Sequence, residues 1–199
     1  MSAALKLDLR MSPEEFYAFE EKAEVRHEFF KGEVIAMAGG TDVHSLLSSN
    51  AIRKVGNALE KRPCRVFESN MRVKIEATGL ETYPDASVVC GPPKFQDLRR
   101  QSLLNPLLII EVLSDSTETY DRGKKFWHYR HLPSLQEYVL IAQDELRVEV
   151  FARQPSGDWL LRAYDGPEAV VRFECLDIEI AMSDLYAKTP LMGVHPDED

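Results

Sequence analysis

The sequence predicts a mixed α/β or α+β sheet protein, and three observations carry that prediction. Helical and strand-like patterns interleave along the chain: helix, hairpin, long helix, several strands, helix, hairpin. The run Pro106-Leu107-Leu108-Ile109-Ile110-Glu111-Val112-Leu113-Ser114 lacks alternation and reads as a strand buried on both faces. The 199 residues, 44% hydrophobic and 29% charged, suffice for one full core, and no repeat, low-complexity segment or linker divides them.

Ser12-Pro13-Glu14-Glu15 opens the first helix, with Ser12 as cap, Pro13 in the first turn and Glu15 closing a capping box. Met11 and Phe16 are placed to staple it, and it is expected to run to about Lys22. The stretch His27 to Met37 reads as two short strands around a Lys31-Gly32 turn. Gly39-Gly40 breaks the pattern, and Thr41 or Asp42 caps a helix whose apolar positions 43, 46, 47, 51, 52, 55, 58 and 59 keep a helical period to about Lys61. Strands follow at 64–68, 71–75 and 85–90, then a polar loop with Arg99 and Arg100 leads to the buried strand. Asp121 is expected to cap a helix of about three turns that Pro133 stops. A second hairpin spans 135–152 around Gln143-Asp144, strands follow near 159–164 and 169–173, and a short helix near 183–187. These boundaries give a flexible stretch 1–11, one domain over 12–189 and an acidic tail over 190–199.

The formal net charge of -9 argues against a protein that coats nucleic acid, although a local basic face remains compatible with it. No stretch approaches the roughly 18 apolar residues of a membrane span, so no membrane partner is expected. Met1 to Arg10 has no apolar core followed by a cleavage site, which predicts no signal peptide. Cys64, Cys90 and Cys175, odd in number and widely spaced, read as reduced, buried thiols of a cytoplasmic protein.

Chemistry is concentrated in three groups. Glu111 stands in the apolar strand, where a carboxylate must meet a cation or several hydrogen bonds. Asp85, after Pro84 at the mouth of another strand, can share a sheet edge with it. Two carboxylates, waters and a substrate phosphate are how Mg²⁺ is usually held, and a structural pairing with a buried Lys or Arg explains them equally well. The second group is the basic helix. Lys125, with Tyr129 four residues on, can reach back to the end of the buried strand to orient a water or stabilise developing charge. Arg122, Lys124 and Arg130 can contact phosphates, or can simply form a solvated face. Third come Glu28 and His44. Glu28 can alternate outward on its strand, and the dipole of the long helix disfavours a charged His44 near its N-terminus. A Gly-rich phosphate loop, a Gly-x-Ser-x-Gly elbow, a His-Glu-x-x-His pair and a Cys-x-x-Cys pair are all absent.

Several of these stretches together resemble the Uma family of restriction-endonuclease-like proteins. They are Tyr83-Pro84-Asp85 to Cys90, Ile109-Ile110-Glu111-Val112-Leu113-Ser114, Asp121-Arg122-Gly123-Lys124-Lys125 with Tyr129, and Leu135-Gln136-Glu137-Tyr138-Val139-Leu140. Arg26-His27-Glu28, Gly32-Glu33, Met37-Ala38-Gly39-Gly40 and His44 fit the same family, over about residues 11 to 187. The resemblance implies a PD-(D/E)xK restriction-endonuclease-like fold, a mixed central sheet flanked by helices with extra hairpins, often as a homodimer. It implies that Asp85 and Glu111 bind Mg²⁺ or Mn²⁺, with the Val112 carbonyl as a further ligand, and that Glu28 and His44 complete the pocket. The usual lysine two residues after the glutamate is Leu113 here, and Lys125 is the matching position on the following helix. Asn70 stands where the family pattern leads us to expect an acid. The expected function is a metal-dependent endonuclease acting on DNA. The rivals are a non-catalytic dimeric module that binds DNA or a protein partner and, less favoured, a nuclease acting on RNA.

Overall fold

The computed structural model describes residues 6–37, 39–96 and 99–193. Its elements begin with β1 (Lys6–Arg10), α1 (Pro13–Glu20), β2 (His27–Phe30), β3 (Glu33–Ala36), α2 (Asp42–Leu59), β4 (Cys64–Glu68) and β5 (Arg72–Ile75). Next are β6 (Leu80–Thr82), β7 (Ala86–Cys90), β8 (Ser102–Leu103), β9 (Leu108–Val112), α3 (Glu118–Tyr120), a π-helical turn (Asp121–Lys125) and α4 (Phe126–Tyr129). The chain continues with β10 (Glu137–Ile141), β11 (Arg147–Arg153), β12 (Trp159–Asp165), β13 (Val170–Phe173), β14 (Ile178–Ala181) and α5 (Met182–Leu185).

The central sheet has the order β12-β11-β10-β9-β7-β4. Only β9 and β10 pair in parallel within it, and a parallel pair needs a crossover, which the continuous helical segment over 118–129 supplies. As the unalternating sequence predicts, β9 is buried along its whole length. Leu108, Ile110 and Val112 pack with Leu47, Ala51 and Val55 of α2. Ile109 and Leu113 turn to the opposite face, among Tyr129, Leu132, Leu135 and Tyr138. Strand alternation therefore puts Glu111 on the face covered by the crossover segment. A second sheet, β1-β3-β2-β6-β5-β8, lies against that segment and contributes Val73, Ile75, Leu80 and Leu103 to the same core.

The local signals act as read. Ser12 and Glu15 form the reciprocal capping box, Pro13 starts α1, and Thr41 caps α2. Lys31 and Gly32 both have positive φ, 50° and 90°, the geometry a two-residue hairpin turn requires.

Four expectations need correction. The stretch expected to be flexible contains β1, which pairs antiparallel with β3, while residues 1–5 lie outside the described part. Asp121 does not cap a helix: the helical segment already starts at Glu118, and Asp121 lies inside it, buried. Cys64 and Cys90 face each other across the β4–β7 pair and are joined in a disulfide, leaving Cys175 as a thiol; wide spacing in sequence conceals a cross-strand pair. The tail expected from Pro190 begins with a short 3-10 turn at Pro190–Met192, and residues 194–199 lie outside the described part. The short strands β6, β8 and β14 were not anticipated, because two to four residues carry too little periodicity.

Candidate active site

The predicted carboxylates meet at the C-terminal end of β9. β7 and β9 are antiparallel neighbours, with Ala86 opposite Ile110, so Asp85 enters β7 beside Glu111. Asp85 Oδ2 accepts the Val112 N–H at 2.7 Å, which ties it to the end of the neighbouring strand. Glu111 is 4% exposed, and its Oε1 accepts from Tyr129 OH at 2.9 Å and meets Lys125 Nζ at 2.8 Å. Lys125 does reach back from the helix, and Tyr129, one turn on, shares its target.

Lys125 stands in the π-helical turn, where it and Asp121 are both buried; such turns are often found at functional sites. Lys125 Nζ lies 3.3 Å from Asp121 Oδ1 and 3.9 Å from Glu28 Oε1. Tyr138 OH anchors the turn by donating to the Asp121 carbonyl at 3.1 Å. Glu28 is buried and does not alternate outward: it accepts from Thr82 Oγ1 at 2.5 Å and Tyr120 OH at 3.0 Å.

His44 completes the group from α2, with Nε2 3.3 Å from Asp85 Oδ2. The backbone reserves room for its ring: a Cβ on Gly40 would come within 2.6 Å of His44 Nδ1. Burial opposes the charged imidazole, but hydrogen bonding and the charge of Asp85, helped by the Val112 carbonyl and Asp121, raise its pKa overall. The helix dipole alone pointed the other way, and a carboxylate in contact outweighs it.

Four carboxylates, Glu28, Asp85, Glu111 and Asp121, thus share one lysine and one histidine. Burial pushes the Glu111 carboxyl up to about 8; the Lys125 charge opposes this, and Asp121 and Asp85 add to it. Burial likewise works against a charged Lys125, yet Glu111, Asp121 and Glu28 hold its pKa well above the ordinary value. Burial thus weighs against a charged Glu111, while the facing carboxylates favour a charged lysine. A buried carboxyl raised in this way among other acids is short of positive charge.

This arrangement fits a hard divalent cation. Asp85 Oδ1 and Glu111 Oε2 take no hydrogen bond from the described residues, and such oxygens suit Mg²⁺ or Mn²⁺. Among the described residues no group of three or more His, Cys, Asp or Glu side chains is gathered as a ready ligand set. Mg²⁺ commonly needs only one or two carboxylates and completes its shell with water and phosphate oxygens.

The other predicted contacts divide. Arg122 is engaged within the protein, by Glu118 at 2.7 Å and by Glu149, and so is not a free phosphate contact. Lys124 and Arg130 are exposed. Asn70, at the periphery, accepts from Arg26 at 3.0 Å and 3.2 Å and donates to Glu68 at 2.9 Å. Asp121, Tyr120 and Thr82 belong to the cluster but were not named for it. The i, i+4 spacing of Asp121 and Lys125 could have signalled the first. Tyr120 and Thr82 join only through tertiary packing, which leaves no local trace.

Comparison with known proteins bears on this geometry. The chain resembles two proteins of Synechocystis sp. (strain ATCC 27184 / PCC 6803 / Kazusa): "Uncharacterized protein slr1290", 34% identical over 89% of this chain and 92% of the relative, and "Uncharacterized protein sll1609", 37% identical over 82% and 93%. Its fold matches the crystal structure of "a putative nuclease belonging to DUF820" from Anabaena variabilis ATCC 29413, with a TM-score of 0.72 at 22% identity, over 89% of this chain and 98% of that one. The expected nuclease-like mixed fold is thereby borne out. The family model "Uma2: Putative restriction endonuclease" matches residues 13–183, and the chain belongs to that family.

Proposed function

We propose that the protein is a Mg²⁺- or Mn²⁺-dependent endonuclease that hydrolyses phosphodiester bonds in DNA. One observation carries the reading: Glu111, Asp121 and Glu28 share a single lysine with Asp85 close by, an excess of negative charge that a divalent cation would balance. Asp85 and Glu111, with the Val112 carbonyl, would hold the ion, which supplies Lewis-acid stabilisation of the charge that develops on the phosphate. Lys125 directs its ammonium at the attacking water and the phosphate oxygens, held in place by Glu111, Asp121 and Glu28. Water adds to phosphorus and gives up a proton, one P–O ester bond breaks, and the leaving oxygen takes up a proton, so the proton count is unchanged. His44 positions Asp85, and Glu28 positions Lys125 and Tyr120.

In this reading 12–189 form the catalytic domain, and the enzyme is a homodimer, for which the half-exposed Leu160 and Leu161 of β12 offer apolar edge surface. Among the described residues no helix is long and apolar enough to cross a membrane. A DNA substrate is the reason to retain a cytoplasmic location, since the Cys64–Cys90 bridge no longer supports it. A non-catalytic module is the second reading, favoured by the lack of a three-residue ligand group among the described side chains. Plasmid nicking with Mn²⁺ decides between them: the parent should nick and Glu111→Gln should not. Equal activity in both would remove Glu111 from the mechanism.

A further inference from the structure

The crossover segment that sends Lys125 inward carries a second set of side chains outward, at 124, 127 and 131. Trp127 is 45% exposed, an unusual state for the largest side chain on a protein of net charge -9. Its ring lies 4.7 Å from that of His131, whose Nδ1 is 2.8 Å from the Trp127 carbonyl oxygen. Beside it, Lys31 from the β2–β3 turn and Lys124 from the π-helical turn place their ammonium groups 5.3 Å and 5.4 Å from the centre of one ring, Phe30. Two exposed cations thus converge on one aromatic platform. Their combined field is felt next door: burial and then the charges of Lys124, His131 and Lys31 push the His128 imidazole down to about 4. His128 is 1% exposed, its ring is 4.9 Å from Phe30, and its Nδ1 has no hydrogen-bond partner among the described residues.

This surface adjoins the proposed catalytic cluster. Glu28 and Phe30 project from the same face of β2, two residues or about 7 Å apart. The helical segment crosses them in matching order, with Lys125 near Glu28 and with Lys124 and His128 at Phe30. A phosphate between Lys31 and Lys124 would relieve their mutual repulsion, and an aromatic face beside paired cations is the pattern that holds a nucleic-acid strand through base stacking and phosphate contact. A base inside a duplex presents no free face to a tryptophan ring, whereas an unpaired base does.

We infer that Trp127, Lys31 and Lys124 form a docking surface for single-stranded DNA, with Trp127 stacking on an unpaired base and the two lysines meeting its phosphates. The inference rests on the nuclease reading for the strand's destination, but binding can be read without catalysis. The test is fluorescence anisotropy of labelled oligothymidylate with the full chain at low salt in EDTA, so that no cleavage occurs. The parent should bind it more tightly than a mixed-sequence duplex or an oligouridylate. Trp127→Ala should weaken binding at least about fivefold, while Trp127→Phe keeps most of it. Lys31→Gln with Lys124→Gln should lower the slope of log affinity against log salt by about 1.4, at about 0.7 per lost contact on a single strand. Preference for duplex or for the RNA oligomer, or undiminished binding by a Trp127→Ala variant with the circular dichroism of the parent, would overturn the inference even if nicking activity stands.

Discussion

Glu81 on β6 and Glu111 on β9 are both almost wholly buried carboxylates, 1% and 4% exposed, each on one of the two six-stranded sheets. Around Glu81 stand Arg72 Nε at 3.2 Å, Lys74 Nζ at 3.1 Å, Tyr17 OH at 2.6 Å and Ser102 Oγ at 3.4 Å. Two cations and two hydroxyls serve one carboxylate there, and the Arg72 guanidinium also stacks over Tyr17. Around Glu111 the proportion is inverted, since one lysine serves Glu111, Asp121 and Glu28, with Asp85 close by. Burial alone does not distinguish a structural acid from a functional one. The local ratio of cations to carboxylates does, because a saturated acid has no use for a metal ion and a starved one does.

The comparison can be broken by parallel substitutions. The largest effect belongs to Glu111→Gln, which should lower the Mn²⁺-dependent nicking rate by at least about 100-fold. Its stability should stay within about 1 kcal/mol of the parent, because Asp121 and Glu28 still face Lys125. Glu81→Gln should behave in the opposite way. It leaves Arg72 and Lys74 buried without their carboxylate, a loss of about 3–5 kcal/mol, readable as a melting temperature lower by roughly 6–20 °C. Its nicking rate per folded molecule should be unchanged. A Glu81 variant with native stability would break the contrast from one side, and a Glu111 variant that unfolds would break it from the other.

His44→Ala sharpens the contrast at the edge of the site. In the proposed mechanism His44, 3.3 Å from Asp85, positions a metal ligand without being one, so Mn²⁺ affinity should fall about 10–100-fold with the fold intact. Circular dichroism and a metal titration on the same sample check both halves.

The smallest effect expected is a pH slope. The folded Glu111 carboxyl binds its proton up to about 8, above its ordinary value of 4.5. Between those values the folded state holds a proton that the unfolded state releases, so this contribution to stability declines as pH rises through the window. The metal-free parent should therefore lose melting temperature from about pH 5 to pH 8 relative to Glu111→Gln. Mn²⁺ should flatten the difference, and parallel curves without metal would deny the raised pKa.

Much of this was legible in sequence where the signal is local. The capping box at Ser12 and Glu15, the Lys31-Gly32 turn, the period of α2 and the unbroken apolar run of β9 each depend on neighbours along the chain. Asp85, Glu111 and Lys125 were found by residue type and by likeness to a family, and the structure brings the three into one cluster. What was hidden depends on partners distant in sequence. The Cys64–Cys90 bridge, Tyr120 and Thr82 on Glu28, and the reversal of the dipole effect at His44 by Asp85 all arise only when strands and helices meet. Asp121 was misread for a different reason. An acid before a basic helical run is the ordinary signature of a cap, and the helix starts earlier than that signature implies.

The central claim is that Glu111 stands in the core for a cation and not for a lysine alone. Calorimetric titration of Mn²⁺ at neutral pH, repeated in two buffers of different ionisation heat, tests it directly. The account predicts saturable binding by the parent with proton release to the buffer, as the ion displaces the Glu111 proton, and loss of both in Glu111→Gln. No heat of binding at millimolar Mn²⁺, or binding that is the same in parent and variant, would contradict it.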